Sequence, residues 1–273
     1  GKTALMHAAE KGRTEVMMTL ANTEGVDVNA RDANGNTAIM LAISSASGRG
    51  AYASSLVSQQ DHIDAVFALL AVEGIDLSMR GGHAEDGIRS ILMHATIQGK
   101  ATAVSRLLNV DIMDVNATYM HGSTVLMHAA LKGHVAVING LLAAEGIQAN
   151  ARDSSGDSAL MYAANAGNAD AIKALLEGGA DVGAANRKGA TALHSAAQPS
   201  QRWESNLYRA EVIRALVEGG ADVNAKTVSM RTPLMIAANK GHLKAIHALL
   251  SAAEGVIEVD ARSKNGHTAL MYA

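Results

Sequence analysis

The stretch Thr3-Ala4-Leu5-Met6-His7-Ala8-Ala9 decides the fold, because close variants of it recur along all 273 residues. The variants begin with threonine or serine at positions 37, 90, 124, 158, 191, 232 and 268, at spacings of 34, 53, 34, 34, 33, 41 and 36 residues. A period of this length is typical of repeat proteins, in which each unit is one small piece of supersecondary structure. We therefore predict a stack of six to seven complete repeats and a partial eighth.

Each phrase has the pattern of a helix start. Threonine or serine before an apolar run can cap a helix by accepting hydrogen bonds from its free N–H groups. Leu5, Ala8 and Ala9 then lie on one face at helical spacing. A glycine that suits a left-handed helix end follows in five units, at Gly12, Gly99, Gly133, Gly167 and Gly241. An outer helix is predicted next, for example over 170–177, and then an extended finger with a turn such as 34–35 (Asn-Gly).

The repeated unit resembles the ankyrin repeat. The segment 189–197 (GATALHSAA) follows the family pattern Gly-x-Thr-Pro-Leu-His-x-Ala-Ala, and 241–242 (GH), 249–250 (LL) and 220–225 (GADVNA) match its later positions. The tetratricopeptide repeat has the same period but needs Trp and Tyr at fixed positions, and this chain has one Trp. The resemblance covers essentially the whole chain. It implies a mostly α fold, an ankyrin-repeat solenoid of stacked helix-turn-helix units with β-hairpin fingers, as a single domain over 1–273.

One departure from the ankyrin pattern concerns the third residue after the threonine, where the family usually has a histidine bonded to the threonine hydroxyl. Only His194 fits, and the other seven units have methionine: Met6, Met40, Met93, Met127, Met161, Met235 and Met271. Because methionine fills irregular gaps well, we predict that these side chains pack in the core and replace the Thr–His bond by apolar packing. A methionine-lined binding surface is the alternative.

Composition excludes several classes of protein. The formal net charge is -3 with both signs mixed, so there is no basic balance of the kind that binds nucleic acid. No apolar run approaches the ~18 residues of a membrane span, and none is predicted. The chain has no cysteine, so a disulfide framework and a thiolate metal site are both impossible. We expect a cytoplasmic monomer.

Catalytic and metal-binding patterns are absent or explained by the repeat. The segment 1–3 (GKT) resembles the end of a phosphate-binding loop, but the repeat phase assigns it to a helix start. His7, His94 and His128 share one position on successive inner helices and could line a groove. A metal site needs converging ligands and usually an acidic second shell, which nothing in the pattern indicates. We predict no enzymatic activity, no cofactor and no metal.

The period is broken by insertions. Extra residues fall near 44–60 in repeat 2 and near 198–209 in repeat 6, both between the inner and outer helices, and the finger near 81–87 is longer than the others. Trp203 and Tyr208 lie in the second insertion. Aromatic residues often anchor interfaces, so this insertion is a candidate contact surface. The alternative is that its rings pack against the outer helices.

The resemblance also implies where a partner binds, because ankyrin domains generally use the finger tips and the concave face of the inner helices. With the two aromatic residues of the second insertion, the positions so identified are Tyr119, Met120, His121, Leu131, Lys132, Ser154, Asp157, Asn165, Arg187, Lys188, Trp203, Tyr208, Met230, Arg231, Asn239 and Lys240. Lys226, Arg262 and Lys264 make the C-terminal half of this surface more basic. That favours a partner with an acidic or phosphorylated segment, although these charges could also only solubilise the surface.

Together these observations favour a protein–protein interaction module, an adaptor or scaffold. The alternative is a targeting or regulatory arm of a larger enzyme or channel whose active part lies outside this chain. Neither end has the polar form of a capping repeat. We therefore expect the array to continue in both directions.

Overall fold

The computed structural model describes residues 1–46, 58–77, 84–110, 114–198, 206–252 and 255–273, with the backbone alone at 84–86 and 206–208. Trp203 and the side chain of Tyr208 therefore lie outside the described residues, as does most of each long insertion. The chain divides into two compact units, Gly1–Val115 and Asn116–Ala273. That both belong to a single array stays a prediction from the sequence.

Each unit is a stack of helix pairs. The first contains α1 (Ala4–Glu10), α2 (Thr14–Ala21), α3 (Ala38–Ala46), α4 (Gln59–Ala71), α5 (Ala84–Ile97) and α6 (Ala101–Leu108). The second contains a 3₁₀ turn (Met120–Gly122), then α7 (Val125–Lys132), α8 (Val135–Leu142), α9 (Ala159–Ala166), α10 (Ala169–Glu177), α11 (Ala192–Ala197), α12 (Asn206–Glu218), α13 (Pro233–Asn239), α14 (Leu243–Ala252) and α15 (Ala269–Tyr272). Odd-numbered helices are the inner ones and even-numbered helices the outer ones. Inner helices pack on inner helices and outer on outer within each unit, which confirms the predicted helical repeat fold.

The core lies between the two helix layers. In one repeat of the second unit, Leu126 and Ala129 of α7 are buried together with Ile138 and Leu141 of α8. Gly133 joins these helices with a φ of 73°, in the left-handed region that the sequence predicted for it. Because the apolar side chains are mostly small, inner and outer helices of neighbouring repeats can approach closely.

The threonine caps include a contact that the sequence did not predict. The hydroxyl of Thr3 accepts a hydrogen bond from the Met6 N–H at 3.2 Å, and Thr124 and Thr232 make the same bond at 3.4 and 3.3 Å. In return the Thr3 N–H donates to the Met6 sulfur at 3.3 Å, with matching contacts from Thr37 and Thr124 at 3.5 and 3.4 Å. The methionine therefore serves as a weak hydrogen-bond acceptor for the cap as well as a packing residue.

The burial of the seven methionines varies. Four are buried as predicted, namely Met6, Met127, Met161 and Met235. Met40 and Met93 are half-buried. Met271 is 63% exposed rather than buried; it lies in the four-residue helix α15, which packs against α13.

His194 joins two repeats through both of its ring nitrogens. The Thr191 N–H donates to Nδ1 at 3.1 Å, and the Thr191 hydroxyl lies 2.9 Å from the same atom. On the other side of the ring, Nε2 lies 3.0 Å from the carbonyl oxygen of Arg231 in the next finger. Since a backbone N–H can only donate, Nδ1 is the acceptor and Nε2 carries the proton that it donates to Arg231. A methionine has only one polar atom and cannot make both contacts.

The predicted helix start at Ser90 is wrong. Helix α5 begins at Ala84, so Ser90 lies inside it. The buried Ile88 shows that the apolar face starts before the repeated phrase. Burial of these earlier residues therefore outweighs the local cap signal.

At three further repeats the predicted cap hydrogen bond is missing. Ser158 and Thr268 have the extended backbone of a cap residue, but neither side chain makes a cap hydrogen bond. The buried hydroxyl of Thr37 has no hydrogen-bond partner in the described part of the chain. These helices begin where the sequence predicted, but without the side-chain bond that was expected to fix them.

The described ends of the two insertions are mostly helical. Residues 44–46 continue α3, residues 59–60 begin α4, and 206–209 form the first turn of α12. The last four residues of the finger near 81–87 likewise belong to α5. At the second insertion Arg209 is buried and donates to the carbonyl oxygens of Ala196 and Gln198. It thereby fixes the start of α12 against the end of α11.

The fingers that the structure describes are turns rather than strands. In a representative finger the Asp153 N–H donates to the Asp157 carbonyl at 3.0 Å, and the Gly156 N–H closes the turn on the Asp153 carbonyl at 2.9 Å. The one β-bridge among the described residues joins Thr118 to Thr124. In the fingers that the structure describes, the predicted β-hairpins are therefore too short for a ladder of strand hydrogen bonds.

Candidate functional site

The finger tips of the second unit form a row joined by backbone hydrogen bonds. The Ser154 N–H donates to the carbonyl of His121 at 2.8 Å, and a matching bond joins each following pair of fingers. These further bonds run from Arg187 to Ser155, from Val228 to Lys188 and from Lys264 to Ser229, at 3.1, 2.9 and 3.0 Å. The tips therefore hold a fixed spacing and orientation. We call these five finger tips the tip row.

Two residues of the tip row have backbone conformations that favour glycine. His121 has a φ of 60° and Met230 a φ of 57°, and both side chains are exposed. The neighbouring Met120 is 81% exposed. Non-glycine residues in this region are strained and are concentrated at functional sites. Both tips are therefore candidate contact points.

Three hollows lie between the tip row and the inner helices. The first, of about 380 Å³, is bordered by Tyr162, Lys188 and Gln198. The second, also of about 380 Å³, shares Lys188 and Gln198 with the first and includes Arg231. The third, of about 340 Å³, shares Arg231 with the second and includes Tyr272. Because neighbours share lining residues, the three form one continuous trough, and we use that name for them.

Positive charge is concentrated in the second and third hollows of the trough. The first hollow has Asp157 beside Lys188, whereas the second has Arg187, Lys188 and Arg231, and the third has Arg231 and Lys264, with no carboxylate among the described residues that line either. In the part of the chain that the structure describes, none of these four cations forms an ion pair. An unpaired cation on a solvent-facing surface is available to an anionic ligand.

Of the three additional cations that the sequence assigned to the C-terminal half of this surface, two already make contacts within the chain. Lys226 forms an ion pair with Glu258 at 3.2 Å. Arg262 donates to the carbonyl of Gly266 at 2.9 Å. Of the three additional cations, Lys264 is thus the one that borders the trough.

Arg231 is held in place by its surroundings. Its N–H donates to the Thr227 hydroxyl and its carbonyl accepts from the Thr227 N–H, both at 3.1 Å. The guanidinium carbon lies 4.6 Å from the centre of the Tyr272 ring, within cation–π range. The Nε atom is buried and has no hydrogen-bond partner in the described part of the chain. Arg231 is therefore positioned before any ligand binds.

Tyr162 forms a wall of the first hollow. Its hydroxyl donates to Asp153 at 2.9 Å. Asp153 also accepts the N–H groups of Ser155 and Asp157, each at 2.8 Å. Burial, followed by the hydrogen bond to Asp153, raises the pKa of Tyr162 to about 12. The ring is thus locked to the finger at ordinary pH.

We expect spectrophotometric titration to detect one tyrosine that ionises near pH 12, about two units above an ordinary tyrosine. Tyr162→Phe should remove this late step, whereas Tyr119→Phe should leave it in place. Since folding raises this pKa, neutral Tyr162 stabilises the fold fully below pH ~10, and the contribution is lost as the pH rises from there through the folded-state pKa of about 12. A late step that persists in Tyr162→Phe would contradict the assignment.

The predicted contact residues fall into four groups. Six border the trough: Leu131, Asp157, Asn165, Arg187, Lys188 and Arg231. Five lie in the tip row beside it: Tyr119, Met120, His121, Ser154 and Met230. Three are exposed at the ends of α7 and α13, away from the trough: Lys132, Asn239 and Lys240. The last two, Trp203 and Tyr208, have no described side chain.

Four residues on the inner-helix side of the trough were not predicted from the sequence. They are Tyr162, Ser195, Ile236 and Tyr272, each four residues after the threonine or serine of its repeat. His128 occupies the same position, 3.1 Å from the Ser123 hydroxyl, and its pKa is lowered by burial and by Lys132. The sequence contained a signal for these residues. His7, His94 and His128 occupy the same position in earlier repeats, where the sequence already indicated that they could line a groove.

The described residues contain neither a metal-binding cluster nor a membrane-spanning helix. No group of three or more His, Asp or Glu side chains among them could hold a metal ion. In the same part of the chain, no helix combines the length and apolar character that a membrane crossing requires.

Comparison with known protein families gives a match along the whole chain. The family model described as ankyrin repeats (three copies) matches residues 1–61, 51–153, 142–227 and 204–273, and so covers the chain from end to end. No curated protein sequence matches it.

Proposed function

Because the chain belongs to the ankyrin repeat family, whose repeats are generally protein–protein interaction modules, we propose that it binds a partner protein through the tip row and trough of its second unit. In this role it acts as an adaptor or scaffold. The family is typically non-catalytic, and we propose no reaction for this chain. The cytoplasmic location and monomeric state expected from the sequence stay predictions.

The observation that carries the proposal is the set of unpaired cations along the trough. Arg187, Lys188, Arg231 and Lys264 lie on two adjoining hollows whose described lining contains no carboxylate. Neighbouring like charges repel one another, so an anionic ligand relieves an unfavourable arrangement as well as adding favourable contacts. The partner therefore presents an acidic or phosphorylated segment to this surface.

The test is capture of proteins from an extract of the source organism by the immobilised chain. We expect Arg187→Glu combined with Lys188→Glu to reduce capture of the specific partner at least about tenfold, because two close charge pairs become repulsive. Capture by the unchanged chain should also fall as salt rises from about 0.05 to 0.5 M, since exposed charges are screened.

The matched control is Lys173→Glu. Lys173 is an exposed cation on the outer helix α10, 3.9 Å from Asp170, and lies outside the trough. Its reversal should leave capture unchanged. Binding that survives both high salt and reversal of the two tip cations would refute the proposal.

A further inference from the structure

The second and third hollows differ in chemistry although they adjoin. We propose that they bind one extended segment of the partner that carries an apolar side chain and, three residues away, a carboxylate or phosphate group. This inference rests on the proposed function and specifies what its site selects.

The floor of the second hollow suits an apolar side chain, while Arg187, Lys188 and Arg231 are also among its lining residues. Ile236 of α13 and Ala190 of the finger are both buried there, so they form its floor. Val228, which is 71% exposed, stands on its edge. An apolar group in this hollow would displace water from Val228, Ile236 and Ala190, and removing apolar surface from water is favourable.

The third hollow suits an anion. Arg231 and Lys264 supply two cations, and Ser229, Ser263 and Asn265 complete a described lining without a carboxylate. The cation–π contact with the neighbouring tyrosine holds the guanidinium in the hollow. A carboxylate or phosphate oxygen would pair with the terminal N–H groups of this guanidinium.

The distance between the hollows sets the spacing of the two groups. Each hollow lies between one repeat and the next, so their centres are about 10 Å apart, the packing distance of neighbouring helices. A polyproline II segment rises about 3.1 Å per residue and has three residues per turn. Residues three apart are therefore about 9 Å apart and point to the same side. In a β-strand they would point to opposite sides, which favours the polyproline II conformation for the occupant.

The first hollow does not add to the preference for an acidic group. Asp157 and Lys188 give it both signs of charge, and the Asp157 carboxylate already accepts the Asn186 side chain at 2.7 Å. It therefore has no clear preference for an acid, and the selective part of the trough is the pair of hollows around Arg231.

The experiment uses labelled synthetic peptides of about ten residues, of glycine and serine apart from one leucine and one glutamate placed two, three, four or five positions apart. Binding to the full chain is measured by fluorescence polarisation. A separation of three should bind best, by about tenfold over two or four. Proline at the two intervening positions should tighten binding further, because it fixes the polyproline II conformation beforehand.

Three variants assign each group to its hollow. Arg231→Gln should remove the preference for glutamate over glutamine and keep the preference for leucine, whereas Val228→Ser should do the reverse. Lys244→Gln removes an exposed cation of the outer helix α14, outside the trough, and should change binding less than about twofold. Replacing glutamate by phosphoserine distinguishes the two sources of negative charge: tighter binding identifies a phosphorylated partner, and weaker binding an acidic one.

Two results would overturn the inference. One is binding that does not depend on the separation of leucine and glutamate. The other is an unchanged glutamate preference in Arg231→Gln. If either occurs while the reversal of Arg187 and Lys188 still abolishes partner capture, the inference alone fails. If that reversal has no effect either, the proposed function fails with it.

Discussion

Gly189→Ala is expected to lower the free energy of unfolding by about 3 kcal/mol, the sum of backbone strain and a steric clash. Gly189 has a φ of 71°, which an alanine adopts only with strain. Its new Cβ atom would also lie 2.8 Å from the Val228 backbone nitrogen and 3.2 Å from the Thr227 backbone. Because these are backbone atoms, no side chain can rotate to relieve the contact. The Val228–Lys188 bond of the tip row must then lengthen or break.

Gly220→Ala separates the contribution of backbone strain from that of the steric clash. Gly220 has a φ of 89°, but nothing lies within 4 Å of the position that a Cβ atom would occupy there, so the variant should lose only about 1 kcal/mol from strain. Urea unfolding followed by circular dichroism gives the two free energies. Hydrogen exchange at the Val228 N–H, faster in Gly189→Ala alone, locates the damage. Equal losses in the two variants would show that the close approach of the fingers is unimportant.

His194→Met is expected to cost about 2 kcal/mol at pH 8, although methionine occupies this position in the seven other repeats. The methionine sulfur can accept the Thr191 N–H, as it does for Thr3 and Thr124. It cannot donate to the Arg231 carbonyl, so the contact between repeats is lost. Urea unfolding measures the loss, with His247→Met, at an exposed histidine of α14, as the neutral control.

The loss should also depend on pH. Burial lowers the pKa of His194 below its ordinary value of 6.5. The neutral form therefore stabilises the fold at pH above 6.5, and this contribution disappears as the pH falls through the lowered pKa. His62, His128 and His242 have pKa shifts of the same sign, but they are present in both proteins and cancel in the difference. The two proteins should thus converge in stability as the pH falls below 6.5, and a constant difference would contradict the assigned hydrogen bonds.

The repeat fold could be predicted from the sequence because the same residues recur in the same order. Thr124, Gly133 and the apolar positions of α7 each have a local physical role, and repetition removes the ambiguity of any single unit. Prediction failed where local signals compete. Ser90 has the cap pattern, yet buried apolar residues before it extend α5 to Ala84. Buried Arg209 similarly turns part of a predicted loop into helix.

The binding surface was predictable only in part. Finger positions such as Arg187 and Lys188 stand out because they vary between repeats. Tyr162 and Ile236 do not, since each looks like an ordinary helix residue until the neighbouring finger is placed above it. The absence of ion pairs around Arg231 within the described part of the chain is likewise a three-dimensional property, because charges far apart in the sequence decide it.

The tip row is held together by main-chain atoms, and every residue except proline supplies the same N–H and C=O groups. Side chains at Ser154, Arg187 and Lys264 can therefore be exchanged without removing a single bond of the row. Mutation can alter what the surface recognises while the geometry that presents it stays constant. Recognition and architecture are thus separately evolvable in this protein, and a new specificity could be designed by grafting side chains onto an unchanged set of tips.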